Sequence, residues 1–297
     1  MGKKKNNQQW LTNFTDDMIK FTEPAILVKF LATIDPRGWP HLTFISSNAA
    51  RGKDLVVWGE MASGMSNKNI ESNPKQGVFY MSPDMPFKFI QAKIKYTHSR
   101  TDGEDLDFFN RSDLMRYLTY INVYKAHYSE VIAVTPIRSL PLIGIIKGII
   151  KDIIGKGGAK TKLNEKRLNP IGYKLFTNTI GVRAISYIDP LDGYPIIIPC
   201  IPLQAADHNR LVFPIGTALK QNLLSIPPQA KLAVLAANFD LAYQVAKGTY
   251  TGISKFRGIK FGVMEIEEIY NGSPPVIGKI YPEIEARPKV TEFKLSS

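Results

Sequence analysis

The sequence predicts a mainly β protein made of two tandem barrel domains. Three observations lead there. The chain has 297 residues, room for about two domains of ~150 residues each. The phrase ATIDPRGWPHLTF (32–44) returns as SYIDPLDGYPIII (186–198), with Ile-Asp-Pro, Gly, an aromatic residue and Pro in common. Short apolar runs bounded by turn residues recur along the chain, with few helix-period stretches between them, which is the pattern of small barrels.

The echo is one of several landmarks. Asp35 and Asp189 lie 154 apart, and Pro40 and Pro195 lie 155 apart. LVVWG (55–59) matches LVFPIG (211–216), NIESNP (69–74) matches NLLSIP (222–227), and AKIKYT (92–97) matches AKGTYT (246–251). Chance identity does not hold one offset across five landmarks, and a domain-sized period marks a duplication rather than a solenoid.

Each element of the unit has its own reason. Thr15 precedes DDMIKF, an N-cap followed by acids in the first turn of a helix. AILVKFLATI is a strand that ends in the Asp35-Pro36-Arg37-Gly38 turn. HLTFISS and DLVVWGE follow as strands. SNKNIESN is a short polar helix closed by Pro74. GVFYMS and FIQAKIKYTH are the next strands, and the last is EVIAVTPI in the first half and GVMEIEEIY in the second. Pairing Val131 with Val263, only 132 apart, implies about 22 extra residues in the first half after Tyr96. They fall in DFFNRSDLMRYLTYINVYKAHY, which reads as an added packing helix or as a wall over a ligand. The expected domains are 1–137, with a helical insertion at about 98–127, and 166–297, joined by a basic amphipathic helix at 138–165.

Composition narrows the chemistry. The formal net charge is +12, and residues 138–167 hold eight basic and two acidic side chains, 8 − 2 = +6, half of that excess. A charge run of this kind reads first as a solvated face, and without a zinc finger, RNA-binding signature or recognition helix, nucleic acid is not expected as a partner. The single cysteine, Cys200, excludes an internal disulfide and sits in an apolar strand as a structural thiol. Lys3, Lys4 and Lys5 are followed by Asn and Gln rather than an apolar core, so a signal peptide is not expected and the cytoplasm is the expected location. His41, His98, His127 and His208 lack metal-ligand spacing, so no metal site is expected. No Gly-x-Gly-x-x-Gly or Walker pattern supports a Rossmann or P-loop site.

LPLIGIIKGIIKDIIGKGG stands outside the repeat. Gly144, Lys147, Gly148, Lys151, Asp152 and Gly155 form one narrow helical face, and leucine and isoleucines from Leu142 to Ile154 fill the rest. It reads as an inter-domain packing helix, as a peripheral membrane helix with lysines at the headgroups, or as a dimerisation surface. Its three glycines call for a partner that enforces the helix.

The order of helix, LATIDPRGWPHLTF, LVVWGE, SNKNIESNP and GVFYMS resembles the FMN-binding split-barrel proteins related to pyridoxamine 5'-phosphate oxidase. The matching residues are Ala32-Thr33, Asp35, Gly38, Pro40-His41-Leu42-Thr43, Ser66, Lys68, Asn69-Ile70 and Asn73-Pro74. The resemblance implies two tandem split barrels and an FMN cofactor, with the deazaflavin F420 or haem as alternatives. It places Thr43, Phe44, Ile45 and Ser46 along the flavin ring, and Ser63, Ser66, Lys68 and Asn69 at the phosphate. A phosphate there would meet the amides and dipole of a helix start. Ser66 stands where the family often has Lys, with Lys68 two residues later. In the second half, IIIPCI offers no hydroxyl, and only Thr217 and Lys220 remain near the matching helix, so one competent site per chain is expected. The family pairs two barrels, which implies a homodimer or an internal pseudo-dimer in which Lys247 or Arg257 completes the first-half site. The implied activity is flavin-dependent oxidoreduction of a small-molecule substrate by an electron donor, with Tyr96, Tyr124 and His127 as substrate-side candidates. The alternatives are a flavin-binding electron carrier or sensor, and a cofactor-less oligomeric or membrane-surface scaffold.

Overall fold

The computed structural model describes residues 9–112, 122–179, 181–216, 219–238, 242–273, 276–285 and 287–288. The first repeat runs α1 (Asp16–Thr22), β1 (Val28–Ile34), β2 (Pro40–Phe44), β3 (Asn48–Ala50), β4 (Leu55–Glu60), α2 (Met65–Ser72), β5 (Lys75–Met81), β6 (Lys88–Arg100), α3 (Glu104–Asn110), β7 (Lys125–Val134) and β8 (Arg138–Ser139). Helix α4 (Leu142–Gly155) and a 3-10 turn (Lys156–Ala159) follow. The second repeat runs α5 (Pro170–Thr177), β9 (Val182–Ile188), β10 (Pro195–Pro199), β11 (Gln204–Ala205), β12 (Arg210–Pro214), α6 (Lys220–Leu224), β13 (Lys231–Ala237), β14 (Tyr243–Phe256) and β15 (Ile259–Asn271), with β16 (Val276–Tyr281) and β17 (Arg287–Pro288) added.

The two sheets have one topology. The first is ordered β2-β1-β5-β6-β7-β4-β3 and the second β10-β9-β13-β14-β15-β12-β11. Adding eight to each strand number of the first gives the second, so the duplication read from the sequence is present strand for strand. The structure is mainly β with a few helices, two tandem barrel domains as expected.

The strand registers refine the sequence alignment. Tyr96 and Tyr250 keep the offset of 154, but Trp58 pairs with His127 where Phe213 pairs with Gly262. Val263 therefore matches Tyr128, not Val131, and Val57 matches Val212. The sequence pairing is out by three residues at the last strand; the β-bulges of β6–β7 and β14–β15 fall at matching positions and cancel, so the insertion is 154 − 135 = 19 residues rather than about 22.

Compact packing divides the chain differently from the repeats. Unit 1 comprises 1–38, 44–142 and 188–197, and unit 2 comprises 39–43, 143–187 and 198–297. Each unit thus includes the tip of the other repeat's first hairpin, the echoed phrase itself. In unit 1, Lys93 Nζ lies 2.9 Å from Asp189 and 2.6 Å from Asp192, and Lys75 Nζ sits 5.2 Å over the Tyr194 ring. In unit 2, Lys231 Nζ sits 4.1 Å over the Trp39 ring, and His41 packs edge-on against Tyr270 at 4.7 Å. Lys75 and Lys231 open matching strands, and Tyr194 and Trp39 are the matching aromatic residues, so one contact is made twice.

The inner core of unit 1 holds Leu31, Val56, Trp58, Val78, Tyr80, Ile90 and Ile94. A buried amine ties the first helix to it. Lys29 Nζ donates to Thr22 O at 2.7 Å and Asn48 O at 2.7 Å. Arg183, at the matching place in unit 2, donates to Ile201 O at 2.8 Å and Leu175 O at 3.2 Å. The carbonyls at each helix end lack intrahelical partners, and a buried side-chain donor satisfies them.

In unit 2 the β14–β15 turn is Arg257-Gly258, both with positive φ, 45° and 83°, the two-residue turn that matches strand twist. In unit 1 the same hairpin carries residues 101–124 instead. Helix α3 packs there through Leu106 and Phe109 with Val123 against Val57, Ala126 and Tyr128 on the outer face of the sheet. The rest of the expected insertion helix, 113–121, lies outside the described residues.

Helix α4 forms where the linker helix was expected, and its burial is selective. Ile145, Gly148, Asp152 and Gly155 are buried, and Gly155 lies so close to Phe261 that a Cβ would stand 2.3 Å from the ring. The small face is the packed one because only hydrogen side chains allow that approach. Among the described residues no helix is long and apolar enough to cross a membrane.

Candidate functional site at the end of the first barrel

The sequence-derived residues fall in three places. Thr43 belongs to unit 2. Phe44 meets Phe30 edge-on at 5.9 Å, Ile45 is part of the inner core, and Ser46 lines a cavity of about 730 Å³ with Ser47, Lys29, Phe108, Phe109 and Arg111. That volume is in the range of small-molecule sites, and its aromatic side is built by the insertion that the second repeat lacks. Ser63, Ser66, Lys68 and Asn69 gather at α2, apart from the cavity lining.

At α2 the side chains divide by burial. Ser63 and Lys68 are exposed, and Ser66 and Asn69 are buried. Asn69 Nδ2 donates to Thr33 Oγ1 at 2.9 Å, which anchors the helix on β1. Gly64 stands at the N-cap and supplies no side-chain cap, so the first amides of the helix are left for other acceptors. Asn67 Nδ2 is buried there without a hydrogen-bond partner, a donor that the sequence reading passed over.

Five residues before this helix, β4 ends at Glu60, which is buried. Tyr124 Oη donates a short hydrogen bond to Glu60 Oε1, and His127 Nε2 lies 3.0 Å from Glu60 Oε2. The His127 ring stacks on Trp58 at 4.0 Å and is 5.9 Å from Tyr96. Trp58 Nε1 donates to Gln76 Oε1 at 3.2 Å, and Ser129 Oγ approaches the same oxygen at 3.5 Å. Gln76 Nε2 and His127 Nδ1 are buried without partners. Of the three substrate-side candidates, Tyr124 and His127 meet on a carboxylate that the sequence reading did not select, and Tyr96 lies against the His127 ring.

The electrostatics favour a neutral imidazole. Burial lowers the His127 pKa below 6.5, against the raising effect of Glu60. With Glu60 as a carboxylate acceptor, His127 carries its proton on Nε2, which leaves Nδ1 as a buried acceptor. Burial first, and the Glu60 bond second, push the Tyr124 hydroxyl well above its usual range. The group can hold a proton on Tyr124 or Nε2 and take one at Nδ1.

The second barrel has the same positions and none of this chemistry. By register, Glu60 corresponds to Ile215, Gln76 to Leu232, His127 to Gly262 and Ser129 to Met264. Phe213 replaces Trp58, and a Cβ on Gly262 would come 2.1 Å from its ring. Ile215, Leu232 and Met264 are buried. The fold therefore closes with apolar residues here, and the polar set in unit 1 is not a requirement of the barrel.

Of the other sequence candidates in the second half, Lys247 and Arg257 have partners within unit 2. Lys247 is fully buried and lies 3.8 Å from Glu268. Arg257 reaches the Ile154 carbonyl at 3.3 Å. Helix α6 has five residues, Lys220 is exposed, and Thr217 lies outside the described residues. Burial pushes the Cys200 thiol up to about 12, which fits a structural role. No group of residues suited to a metal ion occurs among the described residues.

No family model matches the chain, and no curated protein matches it. Solved structures similar to it include an FMN-binding protein from Syntrophomonas wolfei, 12% identical, covering 42% of this chain and 88% of that one, with a TM-score of 0.35. Another is a putative pyridoxamine 5'-phosphate oxidase from Lactobacillus delbrueckii, 13% identical over 42% and 96%, TM-score 0.33. A third is an F420 reductase, 19% identical over 42% and 98%, TM-score 0.33.

Proposed function

We propose that this chain is an FMN-binding flavoprotein with one competent site, in unit 1, and that it acts as a flavin-dependent oxidoreductase on a small substrate. The observation that carries the reading is the exchange of Glu60, Gln76, His127 and Ser129 for Ile215, Leu232, Gly262 and Met264 in an otherwise repeated barrel. Buried polar groups without full partners destabilise a fold, and the second barrel does without them, so their presence in the first points to use.

The residues fit the cofactor's phosphate. The uncapped start of α2, the orphan donor Asn67 Nδ2, Ser63 and exposed Lys68 supply amide donors and positive charge. A bound flavin supplies hydride or electron transfer. The protein supplies position, and Tyr124, Glu60 and His127 hold and move the accompanying proton. F420 also carries a phosphate and would use the same donors.

The purified protein tests this. Bound yellow cofactor, identified as FMN by mass and bleached by NAD(P)H, is the expected result. Lys68→Ala is expected to weaken FMN binding at least about tenfold, the order of a lost charge-assisted hydrogen bond, while Lys220→Ala leaves it unchanged. Equal losses from the two variants overturn the single-site reading. Colour that resists every pyridine nucleotide indicates a carrier or sensor, and protein that refuses FMN removes the flavin reading altogether.

A further inference from the structure

Helix α4 turns its isoleucines outward. Ile143 is 68% exposed, Ile146 48%, Ile150 51%, Ile153 64% and Ile154 49%. A surface helix of a water-soluble domain normally buries this face and hydrates its small and polar one. Here the packed face is Gly148, Asp152 and Gly155 with Ile145, and the contact of Gly155 with the Phe261 ring fixes that orientation within unit 2. A row of five exposed isoleucines on one 14-residue helix is a contiguous apolar patch of the kind that marks an interaction surface.

The charges beside it select the partner. Lys147, Lys160 and Lys162 are exposed and Lys151 is half-buried. The one acid from 142 to 162 is Asp152, which is fully buried and lies 3.3 Å from Lys156. The patch therefore presents apolar and cationic groups with no surface carboxylate from its own segment. A two-fold contact with a second copy would place like-charged lysines beside one another, whereas anionic headgroups would complement them.

We propose that the Ile143–Ile154 face of α4 docks on the surface of an anionic phospholipid bilayer, with the helix lying in the interface. Isoleucines enter the acyl boundary while Lys147 and Lys151 meet headgroup phosphates. At 14 residues the helix is about 21 Å long, suited to lying along the surface. The inference is independent of the flavin reading, since α4 contributes nothing to that site.

The full chain is mixed with phosphatidylcholine vesicles with or without phosphatidylserine, then sedimented. Binding to the anionic vesicles alone, weakened by salt, is expected. The triple variant Ile146→Ser/Ile150→Ser/Ile153→Ser changes only exposed side chains and is expected to abolish it. Lys147→Gln/Lys151→Gln is expected to reduce partitioning roughly 25-fold at low salt, about fivefold per lysine. Ile150→Trp is expected to shift its emission to the blue when anionic vesicles are added. Absence of wild-type binding, binding by the triple variant, or an unshifted Ile150→Trp spectrum overturns the proposal. So does a wild-type dimer that the triple variant dissociates without any vesicle binding, which would assign the face to a second copy.

Discussion

Replacing Lys29 by arginine isolates the energetic consequence of a buried amine. Lys29 is 1% exposed, and burial pulls its pKa from 10.5 to about 7. The unfolded chain holds this proton up to about 10.5, and the folded chain releases it near 7. Between these values the unfolded state binds more protons, so stability rises with pH across the window. The full gap, 10.5 − 7 = 3.5, corresponds to on the order of 5 kcal/mol at ~1.36 kcal/mol for each pH unit. From pH 7 to pH 9 the gain from Lys29 is about 2 kcal/mol, because near pH 7 the folded state is still half protonated. Arg183 in the matching position is lowered only to about 10, so arginine at 29 remains charged throughout that interval. Urea unfolding followed by tryptophan fluorescence at pH 7, 8 and 9 is expected to show wild type gaining about 2 kcal/mol over Lys29→Arg. Taking the difference cancels the tyrosines and the thiol, which are common to both proteins. Parallel profiles would refute the reasoning and show that the carbonyls of Thr22 and Asn48 keep Lys29 protonated.

Two further perturbations probe the polar cluster and its apolar twin. Glu60→Gln removes the influence that raises the His127 pKa against burial, so the imidazole is expected to titrate at a lower pH by NMR, and a rise would contradict the assigned contact. Gly262→Ala places a methyl 2.1 Å from the Phe213 ring, an overpacking expected to destabilise by about 1–3 kcal/mol. Thermal melting checks this, and an unchanged Tm would show that Phe213 has room to move.

The duplication was legible because the turn phrase carries local chemistry. Asp35, Pro36 and Gly38, the last at φ +80°, specify a turn in few residues, and the second copy repeats them with Gly193 at φ +74°. The strands were legible as apolar runs, and Thr15 as a cap whose Oγ1 accepts from Met18 N. The register of the last strand was not legible, because only its pairing with β6 or β14 fixes it. Glu60 is the last residue of the strand DLVVWGE, and only pairing with β7 sets it against His127. Asn69 was read as a ligand group by position, yet the structure uses one of its amide hydrogens to hold α2 on Thr33. Lys29 lies inside the run AILVKFLATI, and its carbonyl partners come from segments 7 and 19 residues away. The face that α4 buries was also beyond the sequence, because hydropathy ranks isoleucine above glycine for burial and cannot see the flat aromatic surface of Phe261.

The exchanged hairpins bear on how the two copies diverged. Trp39 answers to Lys231, and Tyr194 to Lys75, so a change in one repeat's hairpin is felt in the unit formed by the other repeat. The barrel interiors were free to drift apart, one toward glutamate and histidine and the other toward isoleucine and glycine. The hairpins were not, since each had to keep suiting a site encoded far along the chain, 231 − 39 = 192 residues away for Trp39 and 194 − 75 = 119 for Tyr194. The most recognisable trace of the ancestral sequence survives in the part with the least freedom to change alone.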